Sequence, residues 1–565
     1  QRGYISRLEF RSGNDLLKQE VDLKNIDVLK VILNYPLAPH EHVILSTPFH
    51  VRLPYNFSGT GYQGHVSTIS NWYPQIALYN NAGWHASSFT EQTNSGAETG
   101  GLNVTINVPS KYQLYSNDEF QQMVIDSSSE TKTLQFVKND VNNFSWVASV
   151  PGYATLHAKN KQKDTIADRA NKAIQNLLAK SWLPAIGYNA YDGFQIGAFT
   201  QNLSDTESRL TYFVSSLYGT NSNRLVGLGT MNYYWQPERY FKRADAGISV
   251  SAFSTSSGRD SLNKKIFAGF FKFAPYIKLL FPIKDGRVEN SIELKTFIIG
   301  EQQFKYVLYS VDSFYHPALG KTNVRYLNQL TFHHTNKRSL YPYDAQLQLQ
   351  QASSFYRLNG ELHYFYNYAK GGGMQVRLFA SKFGYLGSIT SSKRFETLRY
   401  QPKLTALTGN EDYTYSDYFI GRNEFDGFNS QQMMMRDGGL KLRTDLFQDL
   451  QGRSDNWIAS MNLNSTLPNK LFPFKLPIRI FLDAGTYAKA WKKESDQPKF
   501  LYVAGLQVSI LKELINIYFP LLYSTTFRDN LKSVPDQNSF GKRISFSIDL
   551  HRFDPAKIAG NKFFN

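Results

Sequence analysis

Ala244-Asp245-Ala246-Gly247-Ile248-Ser249-Val250-Ser251-Ala252 alternates small or apolar residues with polar ones or glycine. That period of two belongs to a β-strand, whose successive side chains point to opposite faces. The same pattern returns at Ile292–Ile298, Ala345–Leu349, Leu358–Tyr368, Trp457–Leu463 and Ile544–Leu550. A soluble sandwich also alternates, so two further features decide. The segments run about 9–11 residues or more, the length that crosses a bilayer at a tilt. Aromatic residues cluster at their ends, as in Tyr233-Tyr234-Trp235 and Tyr364–Tyr368, which fits interfacial girdles. The polar positions carry Asp, Glu, Arg, Lys and Gln through whole strands, which suits a hydrated lumen. The reading is all-β: from residue 191 to 565, one closed antiparallel transmembrane barrel of roughly 14–16 strands, since such barrels prefer even numbers. Closure would remove the edge strands. Ile248, Val250, Leu347, Leu362, Ile544 and Ile548 are the expected lipid-facing positions.

Composition agrees. Of 565 residues, 36 are Tyr, 41 are Phe and none is Cys. Mean hydropathy is −0.40. No apolar run approaches the ~18 residues of a membrane helix; the stretch Tyr276–Ile283 is short and carries Lys278. Aromatics at 15% exclude a disordered chain. Zero cysteine removes disulfides, thiol nucleophiles and Cys-zinc sites. The net charge of +16 comes from 62 Lys+Arg against 46 Asp+Glu. These cations are spread out, and the densest runs (Lys159–Lys163, Trp491–Lys493) are short, so nucleic acid is not an expected partner. An anionic outer leaflet accounts better for scattered cations near a membrane interface.

Residues 1–150 read as a separate antiparallel β domain. Strands are expected at Val28–Leu33, His42–Leu45 and Leu102–Val108, with a loop-rich aromatic segment between them. Over 164–182, Ile166, Ala170, Ala173, Ile174, Leu177 and Leu178 fall on one face at helical spacing. Asp164 and Thr165 supply an N-cap and Pro184 lies just past the end. The domain plan is therefore a β domain over 1–150, a joint with a connector helix over 151–190, and the barrel over 191–565.

Chemistry is sparse. None of the eleven histidines has a partner four residues away, so no H-E-x-x-H zinc helix exists. His40-Glu41-His42 reads as a solvated turn. His333-His334 would point to opposite faces of a strand. There is no phosphate loop and no nucleophile elbow. Gly371-Gly372-Gly373 reads as a turn, and Met433-Met434-Met435 as packing. Glu293, Asp344, Glu361, Asp483 and Asp549 on the expected lumen face read as ion-paired with Arg357, Arg377 and Arg479 rather than as acid/base pairs. Catalytic, cofactor-binding and metal residues are accordingly expected to be none.

The first domain carries a resemblance. Gly3-Tyr4-Ile5, Leu45–Val51, Ile69-Ser70-Asn71-Trp72-Tyr73-Pro74, Tyr79 and Gly83-Trp84-His85 resemble the N-terminal β domain of aminopeptidase N-like zinc metallopeptidases, most of all a large branch found in Bacteroidota. Val104–Tyr112 and Asn143–Ala148 are similar to its later strands. Gly187–Phe194 resembles the entry to the membrane barrel that some members carry. The family's zinc domain, with its H-E-x-x-H helix, does not appear, so no catalytic residue carries over. The stretch of about 147–163 then reads as a joint where that domain is missing, through either an absent segment or a true deletion. Gln1 shows no signal-peptide pattern, and the chain reads as processed or beginning internally. What the resemblance implies is a barrel-anchored metallopeptidase relative, with zinc and peptide substrates if a zinc domain exists. The alternatives are a non-enzymatic docking component of an outer-membrane complex and a pore or transporter. Expected partners are membrane lipid and lipopolysaccharide, and other outer-membrane proteins. The expected location is the bacterial outer membrane, with the β domain periplasmic.

Overall fold

The structure, a computed structural model, describes residues 3–21, 27–38, 40–54, 61–63, 66–80, 83–85, 100–116, 121–126, 128–141, 144–150, 183–202, 209–237, 240–281, 287–309, 313–338, 340–368, 372–444, 452–467, 478–511, 513–534 and 539–550. The helix expected over 164–182, and 151–163 of the expected joint, lie outside these. Among the described residues no helix is long and apolar enough to cross a membrane.

The N-terminal region is built from small antiparallel sheets. Gly100–Pro109, Thr131–Val141 and Gln122–Asp126 form one, with Thr131–Val141 central. Val104, Ile106, Leu134, Phe136 and Phe144 form its core, and Trp72, Tyr73 and Trp146 pack against it. The strand expected at His42–Leu45 shrinks to Leu45–Ser46. Ile44 stands 85% exposed there, so a short apolar run without a covered face makes no strand.

From Leu183 onward a single 16-stranded antiparallel sheet runs in strict chain order. We number its strands β1 (Leu183–Asn189), β2 (Gly193–Gln201), β3 (Leu210–Gly219), β4 (Arg224–Trp235), β5 (Arg243–Arg259), β6 (Lys265–Leu280), β7 (Val288–Leu308), β8 (Tyr315–Asn336), β9 (Tyr343–Gln351), β10 (Phe355–Asn367), β11 (Gly373–Tyr385), β12 (Trp457–Thr466), β13 (Ile478–Tyr487), β14 (Leu501–Ile510), β15 (Ile515–Tyr523) and β16 (Ser545–Ile548). Pro184 lies within β1, at the sheet edge, where a missing N–H is tolerated. β7 and β8 have 21 and 22 residues, twice what a crossing needs, so their hairpin stands well clear of the bilayer.

The alternation sorts as expected along most strands. Val250, Phe273, Leu294, Leu330 and Leu347 are exposed on the outer face. In β7, Phe297, Ile299 and Glu301 are buried on the inner face. β16 departs from expectation. Ile544 precedes it, ending the short helix Phe540–Arg543. Phe546 is only 5% exposed. Among the described residues no ladder joins β1 to β16, so the closure expected between them is not made by direct strand pairing.

Antiparallel order puts every connection after an odd-numbered strand on one side of the sheet, and every connection after an even-numbered strand on the other, together with the N-terminal region. Arg287, in the connection between β6 and β7 on that second side, donates from Nη2 to Asp27 at 3.0 Å.

Candidate functional site

Residues 386–444 and 452–456, in the connection from β11 to β12, fold back inside the barrel. They have little regular structure: a one-turn helix (Ser391–Glu396), three 3-10 turns and isolated bridges. Their position comes from two apolar contacts with the inner wall. In the first, Leu404, Ala406, Met433, Leu440 and Leu442 meet Phe379, Ile458, Phe481, Leu501, Val503 and Tyr518 of β11 to β15. Phe527 and Leu531, from the helix Thr525–Ser533 between β15 and β16, complete that core. In the second, Tyr413 and Tyr415 meet Phe270, Phe297, Ile299, Leu327, Phe355 and Phe383 of β6 to β11. The Phe270 and Tyr415 rings stack at 3.9 Å. The hydrated lumen expected from the polar alternation is thus corrected. On the side of the odd connections it is packed like a protein interior, because inward positions on β11 to β15 are apolar.

Buried and half-buried ion pairs fix the insert's register against the wall. Arg399 meets Glu301 of β7 at 3.0 Å, Arg357 of β10 meets Asp437, and Lys441 meets Asp483 of β13 at 2.9 Å. Tyr413 donates its hydroxyl to Gln350 at 2.7 Å, and Arg325 donates to the Tyr413 carbonyl at 2.5 Å. Within the insert, Arg422 lies 4.5 Å from the Tyr415 ring centroid and donates to the Gly409 and Asp417 carbonyls. Burial pushes the Glu411 carboxyl up, but the Lys403 ammonium and the Thr408 backbone N–H outweigh it and hold that carboxyl below its ordinary value. Such pairs specify one arrangement more than they stabilise it, since desolvation offsets much of their attraction.

The insert also occupies the seam. Gln432 pairs in parallel with Phe546 of β16, and the Met433 N–H donates to the Phe546 carbonyl at 2.7 Å. Phe428 stacks on Phe546 at 4.5 Å, which explains that residue's burial. On the other edge, the Ala190 N–H just past β1 donates to the Ile420 carbonyl at 2.7 Å, and the Tyr418 hydroxyl donates to the Tyr188 carbonyl at 2.8 Å. The buried Gln432 amide joins the two halves: it accepts from the Ile420 N–H at 2.8 Å and donates to the Tyr418 carbonyl at 2.7 Å.

Below the insert, on the side of the N-terminal region, the lumen holds a polar cavity of about 640 Å³. Tyr343, Asp344, His363, Arg377, Asn464 and Asp549 are among its lining residues, and Met435 and Arg436 of the insert help to roof it.

The residues singled out from sequence fall as follows. His40 and His42 are exposed, and His40 has a positive φ of 68°. His333 approaches Asp344 at 3.7 Å, while His334 bonds Asn290 at 2.6 Å. Glu361 holds Arg377 at 2.6 Å and His363 at 2.7 Å. Glu293 lies opposite Lys278 in the ladder, and Arg479 pairs with Glu513. Met433 is fully buried in the insert's core. Gly372 has a φ of +77° where the chain turns into β11. Among the described residues no three His, Asp or Glu side chains are grouped to hold a metal. The insert was missed because it lacks any period. A signal was present: Leu501-Tyr502-Val503-Ala504 is apolar on both faces, which requires something to cover the inner one.

The sheet, its apolar outer face and its polar lumen floor have the architecture of an outer-membrane β-barrel. No protein-family profile and no curated protein matches the chain. Among solved structures it is similar to CdiB from Acinetobacter baumannii, at 11% identity over 74% of this chain and 63% of that one, TM-score 0.31. BamA from Haemophilus ducreyi lacking POTRA domains 1–3 is similar at 10% identity over 73% and 86%, TM-score 0.33. CdiB from Escherichia coli is similar at 12% identity over 62% and 66%, TM-score 0.31. The chain spans less than two thirds of either CdiB. These findings overturn the aminopeptidase resemblance, for which no family or curated match exists. The quoted motif has a local cause. The Trp72 indole donates to the Phe144 carbonyl at 3.0 Å and packs edge-on to Tyr73 and Trp146, while Tyr79 and Trp84 pair across a hairpin. Aromatic residues closing a small β core produce that spacing without any zinc peptidase.

Proposed function

We propose that the chain is a non-enzymatic outer-membrane component that transports or assembles polypeptide at that membrane, with the N-terminal β domain in the periplasm. The observation that carries this reading is the seam: the two edge strands are joined through the insert and not through a ladder of their own. A ladder between long edges is costly to part, whereas the contact at Gln432 rests on a few hydrogen bonds and one ring stack. The cavity lies on the side of the even connections, and among the described residues the insert packs the other half of the lumen, which supports a receiving chamber over a passive pore. An even strand number puts both ends of the sheet on one side, and the longest connections, after β11, β13 and β15, lie on the other, where long extracellular loops belong.

Locking the seam tests the proposal. The chain has no native cysteine, so an Ala190→Cys, Ile420→Cys pair can be joined by a short bifunctional maleimide without side reactions. Cells depending on the locked protein should lose outer-membrane protein content relative to each unlinked single variant. Normal outer-membrane composition in the locked strain would refute the reading.

A further inference from the structure

The loop between β13 and β14 lies on the same side as the insert. It displays four exposed lysines, Lys489, Lys492, Lys493 and Lys499. Among the described residues none of them has an ion-pair partner, although Glu494 and Asp496 stand exposed in the same loop. Four cations against two carboxylates leave a surplus of two. This loop is held, not floppy. Thr486 Oγ1 accepts the Trp491 indole N–H at 2.6 Å, and its hydroxyl donates to the Lys499 carbonyl at 2.6 Å. Tyr487, from the lumen side, donates to Gln497 at 2.9 Å. The Ser495 N–H closes a turn on the Lys492 carbonyl at 3.1 Å.

The held ring is half in the open. Trp491 is 49% exposed, Phe500 meets it edge-on at 6.0 Å, and the Lys499 ammonium lies 4.9 Å from the indole centroid. On the strands beneath, Tyr502, Leu482 and Ile480 continue the exposed apolar outer face. The ring pair therefore sits where hydrocarbon gives way to headgroups, with the lysines beyond it. Tryptophan favours that boundary, and an ammonium is a point-charge binder of phosphate. The occupant that fits a lysine group above a lipid-facing column is amphipathic, with an anionic head and an acyl tail. A soluble acidic protein would satisfy the lysines and leave the column beneath unused.

We propose that this loop binds the phosphorylated headgroup of an outer-leaflet lipid. The leaflet assignment rests on the orientation given under the proposed function; the binding itself does not.

The test uses the full chain in nanodiscs, with native mass spectrometry reading retained lipid. The probes are bisphosphorylated lipid A and the same lipid dephosphorylated. The wild type should retain the phosphorylated form at least tenfold better. The variant Lys489→Gln, Lys492→Gln, Lys493→Gln, Lys499→Gln should lose that preference and bind the dephosphorylated form as before. Lys242→Gln, on the other side of the barrel, should change nothing. Unchanged heat-modifiable migration would show that each variant is folded. Equal retention of the two lipids by wild type, or undiminished preference in the fourfold variant, overturns the proposal. Labelling of Lys493→Cys in intact cells by an impermeant maleimide reports the leaflet separately. Protection there would refute the orientation and leave the binding result standing.

Discussion

Gln432 and Phe546 pair in parallel across the barrel seam, and the Gln432 side chain hydrogen-bonds the segment that holds β1. One buried amide thus links the first and last strands of a 16-stranded sheet. Replacing Gln432 with Ala leaves the Ile420 N–H and the Tyr418 carbonyl without their partner. The expected loss is about 1–3 kcal/mol for each group left buried and unpaired. The midpoint of urea unfolding, read from heat-modifiable gel migration, measures it. A variant as stable as wild type would mean that the amide is dispensable.

Arg357 is 2% exposed and its partner Asp437 belongs to the insert. Arg357→Leu strands a buried carboxylate, at a cost of about 3–5 kcal/mol. The double variant Arg357→Leu, Asp437→Leu should recover most of it. A double-mutant cycle in urea checks this, and strictly additive losses would show that the two groups act independently.

The insert should also respond to acid. The Glu411 carboxyl is held below its ordinary value chiefly by Lys403, against the push of burial. A depressed carboxyl stabilises fully above its unfolded pKa, about 4.3, and loses that contribution as pH falls below it. Protease sensitivity of 386–456 should therefore rise below about pH 4 in wild type. Glu411→Gln should be less stable at pH 7 and show a flatter acid response.

Leu347 is 52% exposed on the outer face of β9. Leu347→Arg places a cation in hydrocarbon, costing about 2–4 kcal/mol near mid-bilayer. Equilibrium unfolding in lipid vesicles measures the cost. A cost near zero would put that face in water.

How much of this was legible beforehand varies along the chain. Strand positions were, because Val250 and Leu347 alternate with polar neighbours in a period that only a strand uses. The strand count was legible for the same reason, since the 16 strands fall within the expected 14–16. The seam was not legible: a sequence period specifies which face a residue takes, not which strand is its neighbour, and Phe546 alternates correctly while packing on Phe428. The insert was opaque because Leu404, Met433 and Leu440 are brought together by contacts far apart in sequence. The peptidase resemblance failed on residues such as Trp72, whose packing accounts for the motif.

The insert joins the barrel's two edges, and cysteine cross-linking in native outer membranes can show that contact directly. Gln432→Cys with Phe546→Cys should cross-link nearly to completion under mild oxidation, in a chain with no other cysteine. A scan of cysteine pairs between β1 and β16 should give little product. Efficient β1–β16 cross-links in a regular ladder register, with none between 432 and 546, would show instead that the barrel closes by direct strand pairing.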